Sequence, residues 1–95
     1  MRADQDDIKR NITIKTIEEL TEPGQNNINT ADIRKKIELE FELEGRDFYL
    51  ILCRLSMEGF IEEIEPLENL IGTPPKDVVV SITANGIRLV YCSLY

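Results

Sequence analysis

Residues 47–62 read Asp47-Phe48-Tyr49-Leu50-Ile51-Leu52-Cys53-Arg54-Leu55-Ser56-Met57-Glu58-Gly59-Phe60-Ile61-Glu62. At 100° per residue Phe48, Ile51, Leu52 and Leu55 share an arc of about 100°, the width of a stripe that faces a core. Gly59 follows Met57-Glu58 as a natural left-handed stop. Beyond it the period changes, and Phe60-Ile61-Glu62-Glu63-Ile64 has strand character. One stretch thus predicts a helix over about 46–58, a sharp stop and a strand. The opposite arc of that helix holds Arg46, Asp47, Tyr49, Leu50, Cys53, Arg54, Ser56 and Met57. Such a face is unusually apolar for one meant to meet only water.

Upstream, Leu43-Glu44-Gly45 reads as a tight turn, preceded by a helix that ends near residue 42. Thr30 is its expected N-cap, Asp32 a first-turn acid, and Ile33, Ile37 and Phe41 its buried stripe. Arg34 with Glu38 and Lys36 with Glu40 are spaced for i,i+4 ion pairs. Residues 25–30 form a polar connector with one apolar residue, Ile28, suited to a minimal strand or a buried anchor. The first helix is expected over about 6–22, opened by Asp6 and Asp7 and stopped by Pro23-Gly24. Its isoleucines at 8, 12, 14 and 17, with Leu20, spread over more than one face.

Downstream, residues 78–82 are a β-branched run that pairs naturally with 60–64. Residues 65–77 contain Pro66, Gly72, Pro74 and Pro75, so they read as a long loop and not as one helix. Thr83 is the expected cap of a last helix over 83–95. Ile87, Val90, Tyr91 and Leu94 make one apolar face of it, and Leu89, Cys92 and Tyr95 another. A terminal helix apolar on all sides is most easily buried against a partner, so a homodimer is expected through Ile87, Leu89, Val90, Tyr91, Leu94 and Tyr95.

The order of elements predicts an α+β, mostly α fold in a single domain over 1–95: a winged helix-turn-helix, with a three-helix core, a two-stranded wing and a C-terminal helix. The helix-turn-helix would span about 30–58, the wing about 60–82 and the C-terminal helix about 83–95. Tyr49, Leu52, Arg54, Leu55, Gly59, Phe60 and Ile61 resemble, without a gap, the pattern Tyr-x-x-Leu-x-Arg-Leu-x-x-x-Gly-Leu-Ile of the recognition helix in PadR and MarR classes of transcriptional regulator. Ser81-Ile82-Thr83-Ala84-Asn85-Gly86 is similar to their step from the wing into the last helix. The resemblance runs from about residue 17 to 94.

That resemblance implies sequence-specific double-stranded DNA binding by a small homodimeric transcriptional regulator. Tyr49, Leu50, Cys53, Arg54 and Met57 would face the major groove and Arg46 the backbone, with Lys76 as the wing's base. Thr30 and the first amides of the second helix are placed to meet a phosphate, with Arg34 and Lys35 nearby. Two departures stand out. Leu50 and Cys53 occupy positions where polar or basic residues are usual, and no Asn or Gln stands there for adenine readout. The alternative expectation is therefore a protein-interaction module that docks through the apolar face of the third helix.

Composition limits the other classes. The 95 residues are 42 % hydrophobic and 31 % charged, with a net charge of -7 and no histidine. Through Arg54 there are nine bases and twelve acids; beyond it, two bases and six acids, with none of those bases in 59–75. Glu58, Glu62, Glu63, Glu65 and Glu68 read as a solvated acidic wing, since they lack the spacing of a calcium loop. Cys53 and Cys92 are too far apart in sequence to suggest a clustered zinc site. No Walker loop, nucleophile elbow or dinucleotide fingerprint occurs, so neither an enzyme nor a cofactor is expected. No apolar run reaches membrane-spanning length and the polar start lacks a signal-peptide core, which makes the cytoplasm the default expectation.

Overall fold

The computed structural model describes residues 5–94. In chain order they form α1 (Gln5–Leu20), β1 (Asn27–Asn29), α2 (Thr30–Ile37), α3 (Gly45–Met57), β2 (Ile61–Glu63), a 3-10 turn (Leu67–Ile71), β3 (Val79–Ile82) and α4 (Ala84–Leu89). The last helix continues as a π-helical turn, Val90–Leu94. The architecture is a mostly helical α+β domain with a three-stranded antiparallel sheet in the order β1-β3-β2. No helix among the described residues is long and apolar enough to cross a membrane.

The connector at Ile28 is a minimal strand. Ile28 pairs with Val80 and turns its side chain into the core, while its neighbours Asn27 and Asn29 are exposed. The expected two-stranded ribbon thereby gains a third strand. Ile61 lies opposite Ile82 across the other edge of β3. Against this sheet pack Ile14 and Ile17 of α1, Ile33 and Ile37 of α2, and Phe48, Leu52 and Leu55 of α3, each with 0 % exposure. The α3 stripe read from the sequence is the centre of the core, although Ile51 is only half-buried.

At the end of α3 the chain reverses over Gly59, whose φ of +81° lies where a Cβ is disfavoured. The Thr83 hydroxyl then ties the two halves together: it donates to the Gly59 carbonyl at 2.6 Å and accepts from the Gly86 N–H at 3.1 Å. Thr83 is thus the N-cap of α4, as its sequence position predicts.

Several local expectations are corrected. Asn29, not Thr30, caps α2, accepting from the Ala31 N–H at 2.8 Å. Thr30 is fully buried; its hydroxyl accepts from the Val78 N–H at 3.0 Å and lies 3.4 Å from an Asp77 carboxylate oxygen. It fastens α2 to the start of β3 and is not available to an outside phosphate. The second helix stops at Ile37, several residues short of 42. Glu38 and Glu40 therefore fall beyond the helix, and the expected pairs with Arg34 and Lys36 do not form among the described residues. Lys36 instead reaches Glu19 on α1 at 3.0 Å, and Arg34 lies over the Phe48 ring, 5.1 Å from its centroid. Phe41, reached through a turn, is half-buried under Lys9.

The long loop does not project as a free wing. Leu67 and Leu70, 2 % and 5 % exposed, stand three residues apart in the 3-10 turn, where side chains eclipse, and both plug into the core beside α3. The last helix is also shorter than 83–95 as regular α-helix. Val90 is fully buried within this chain, which removes it from any surface that could face a second copy.

Candidate functional site

Arg46, Leu50, Cys53 and Met57 recur at i, i+4, i+7 and i+11, so they share one side of α3. That side points away from the buried stripe. Leu50 is 51 % exposed and Met57 88 %, Arg46 is exposed, and Cys53 is half-buried. At 1.5 Å per residue the apolar strip from Leu50 to Met57 is about 10 Å long. Both of its flanks are occupied by other parts of the chain.

On one flank the segment after β2 folds back to leave a cleft of about 460 Å³. Tyr49 and Cys53 form its helical wall, and Glu63, Glu65 and Glu68 stand on the facing wall with Ile64, Pro66 and Leu67. Folding the loop back, which Leu67 and Leu70 enforce, brings Glu65 and Glu68 to α3, while Glu63 is placed by its pairing in β2 opposite Val80. The Tyr49 phenol is raised above its ordinary value, first by the neighbouring Cys53 side chain, then by burial and by the charges of Glu68 and Glu63. The acids on this wall impose a negative potential on the ring they face.

On the other flank lies the first turn of α1. The Arg54 guanidinium binds Asp7 through Nη2 and Glu58 through Nε at 3.2 Å, and Arg10 meets the other oxygen of Glu58 at 3.1 Å. Arg54 is held more firmly in its charged form, chiefly by the hydrogen bond to Asp7. Beside this network a smaller cleft of about 220 Å³ is lined by Asp6, Lys9, Arg10, Asp47, Leu50, Ile51 and Arg54.

The residues picked from sequence for a DNA contact are therefore brought together only in part. Tyr49, Leu50, Cys53 and Met57 do form one continuous face. Arg54 adjoins it but is committed to two carboxylates. Lys76 sits 3.8 Å from Glu65. Arg34 is half-buried on Phe48, with an Nε that has no hydrogen-bond partner among the described residues. Lys35 and Arg46 are exposed and have no ion pair among the described residues. Thr30 is internal.

The residues picked for a dimer contact divide in the same way. Ile87 and Tyr91, one turn apart, are 42 % and 57 % exposed, and the Tyr91 hydroxyl donates to Glu18. Leu89 is half-buried against the core. Tyr95 and the Leu94 side chain lie outside the described residues.

Sequence reasoning missed Asp7, Glu58 and Glu65 as the groups that neutralise the bases, and Leu67 and Leu70 as anchors. The Leu67-x-x-Leu70 spacing between Pro66 and Pro74 was the available signal for the anchors. Among the described residues no three His, Cys, Asp or Glu side chains gather as a metal site. The chain has no match among protein-family models, curated proteins or solved structures.

Proposed function

We propose that this chain is a winged helix-turn-helix domain that uses its third helix to dock another protein. The succession of α1, β1, α2, α3, β2, β3 and α4, with β3 between β1 and β2, supports the winged-helix reading. The observation that carries the functional reading is the outer face of α3. Its exposed ridge is apolar at Leu50 and Met57, and the wall beside it bears Glu63, Glu65 and Glu68. Duplex DNA is held mainly by cations that displace counterions from phosphates. Here Arg54 is already paired with two carboxylates, Lys76 stands only loosely beside Glu65 at 3.8 Å, and the adjacent acids repel phosphate. An apolar ridge with a charged border has instead the make-up of a protein interface, an apolar centre inside a polar rim.

The test is a photo-crosslinking amino acid placed at position 57 in the full chain and activated in cells. The docking reading expects an adduct that is destroyed by protease and survives nuclease. An adduct that disappears with nuclease overturns it. A second reading, DNA binding by a homodimeric regulator paired through the α4 face, draws on Lys35 and Arg46, which have no ion pair among the described residues, and on the exposed Ile87 and Tyr91. The nuclease-sensitive outcome belongs to that reading.

A further inference from the structure

The exposed ridge of α3 and the cleft beside it differ in chemistry, and together they specify an occupant. Leu50 and Met57 are two helical turns apart, a spacing matched by apolar side chains at i, i+3, i+4 and i+7 of a second helix. Cys53, half-buried, lies about one turn from each of them. The cleft opens on one side of this ridge only. Its wall offers three carboxylates beside Tyr49, a combination that attracts a cation chiefly through charge. Of the three, Glu65 has Lys76 at a loose 3.8 Å, whereas Glu68 is exposed with no ion pair among the described residues. Glu63 accepts from the Leu67 N–H at 3.3 Å through one oxygen, and its side chain is exposed.

We propose that α3 receives an amphipathic helix of a partner protein, whose apolar ridge lies on Leu50 and Met57 and whose Lys or Arg side chains on one flank enter the cleft beside Tyr49 and Glu68. The inference rests on the docking reading above and adds the partner's chemistry to it. Charge complementarity selects this occupant over an acidic helix. An acidic flank would meet like charge in the cleft, and like-charge juxtaposition is how interfaces reject wrong partners. A second copy of this chain is a poorer match by charge: the same side of its α3 offers one exposed base, Arg46, and brings the same three cleft carboxylates with it.

A display library of helical peptides with four fixed leucines at i, i+3, i+4 and i+7 and flanks randomised among Lys, Arg, Glu, Gln and Ser tests this, with the full chain as bait. Lys and Arg should enrich on one flank, and a representative basic peptide should bind about tenfold more tightly than its Glu counterpart at moderate salt. Met57→Glu should weaken the binding of every selected peptide. Substituting Glu63, Glu65 and Glu68 together by Gln should remove the basic preference and leave binding through the leucines. Enrichment that ignores flank charge, or favours Glu, overturns the basic partner while leaving the docking reading in place, provided Met57→Glu still weakens it. If no leucine-ridged peptide is retained while a random duplex pool is, both the partner and the docking reading fail.

Discussion

Replacing Gly86 by alanine opposes two effects that can be weighed against each other. In a helix interior, Gly to Ala ordinarily stabilises by about 0.8–1 kcal/mol. At Gly86 a Cβ would stand 2.7 Å from Cγ1 of Ile82, closer still to the Phe60 carbonyl oxygen, and 3.1 Å from the Phe60 carbonyl carbon. The Ile82 side chain can shift, but the carbonyl is backbone and already accepts the Thr83 N–H at 3.0 Å. Relief requires α4 and the β2 entry to separate by about 1 Å, an overpacking cost of roughly 1–3 kcal/mol toward its upper end. Stretching the Thr83 bond adds up to about 1 kcal/mol. The net expectation for Gly86→Ala is a loss of roughly 1–3 kcal/mol. At about 4–8 °C per kcal/mol for a domain of this size, the midpoint should fall by roughly 5–20 °C. Urea unfolding followed by far-UV circular dichroism, with an unchanged slope, reads the loss directly. Gly45→Ala is the control, because its Cβ meets nothing within 4 Å at the start of α3 and it should be neutral or stabilising. A Gly86→Ala protein as stable as the parent would refute the close approach of α4 to Phe60.

Leu67→Ala should cost roughly 2–4 kcal/mol in the same unfolding assay because it empties a buried site, whereas Leu39→Ala, at a position 85 % exposed, should stay within about 0.5 kcal/mol. A coupling cycle between Arg54→Ala and Asp7→Asn should give about 0.2–1 kcal/mol that shrinks as salt is added, since both side chains are more than a third exposed. In an ultraviolet titration Tyr49 should ionise above the ordinary tyrosine range, and Tyr49→Phe should remove that component. Because its native pKa is raised, Tyr49's contribution to stability is intact below the ordinary tyrosine value and falls as the pH rises through the native one, which alkaline unfolding curves of the two proteins will compare. Reversing Glu63, Glu65 and Glu68 together to lysine should create salt-sensitive duplex binding in a gel-shift assay; continued absence of binding would mean that these acids are not what repels DNA.

The features legible in the sequence were those decided over a few residues. The Gly59 stop, the Thr83 cap and the buried stripe of α3 depend on local backbone preference or on a single helical period. The end of α2 was illegible for the same reason. Phe41 continues the spacing of Ile33 and Ile37, but the chain leaves the helix at Ile37 and brings Phe41 in through a turn beneath Lys9. Prolines marked 65–77 as irregular without saying that Leu67 and Leu70 would pull it onto α3. The site was hidden in larger part, because its electrostatics are set by long-range partners. Asp7 and Arg54 are 47 positions apart, so that pair cannot be read from the sequence around Arg54, whereas Glu58, four residues on, was a local signal that went unused. What the sequence did display was the apolar character of Leu50, Cys53 and Met57 on a face opposite the core.

Whether this face of α3 suits a protein and not phosphates can be decided by titrating the full chain against a pool of random duplexes from about 50 to 200 mM salt. No duplex should be retained even at the low end. Tight binding at 50 mM that falls by orders of magnitude at 200 mM, and that weakens further with Arg46→Ala, would contradict it.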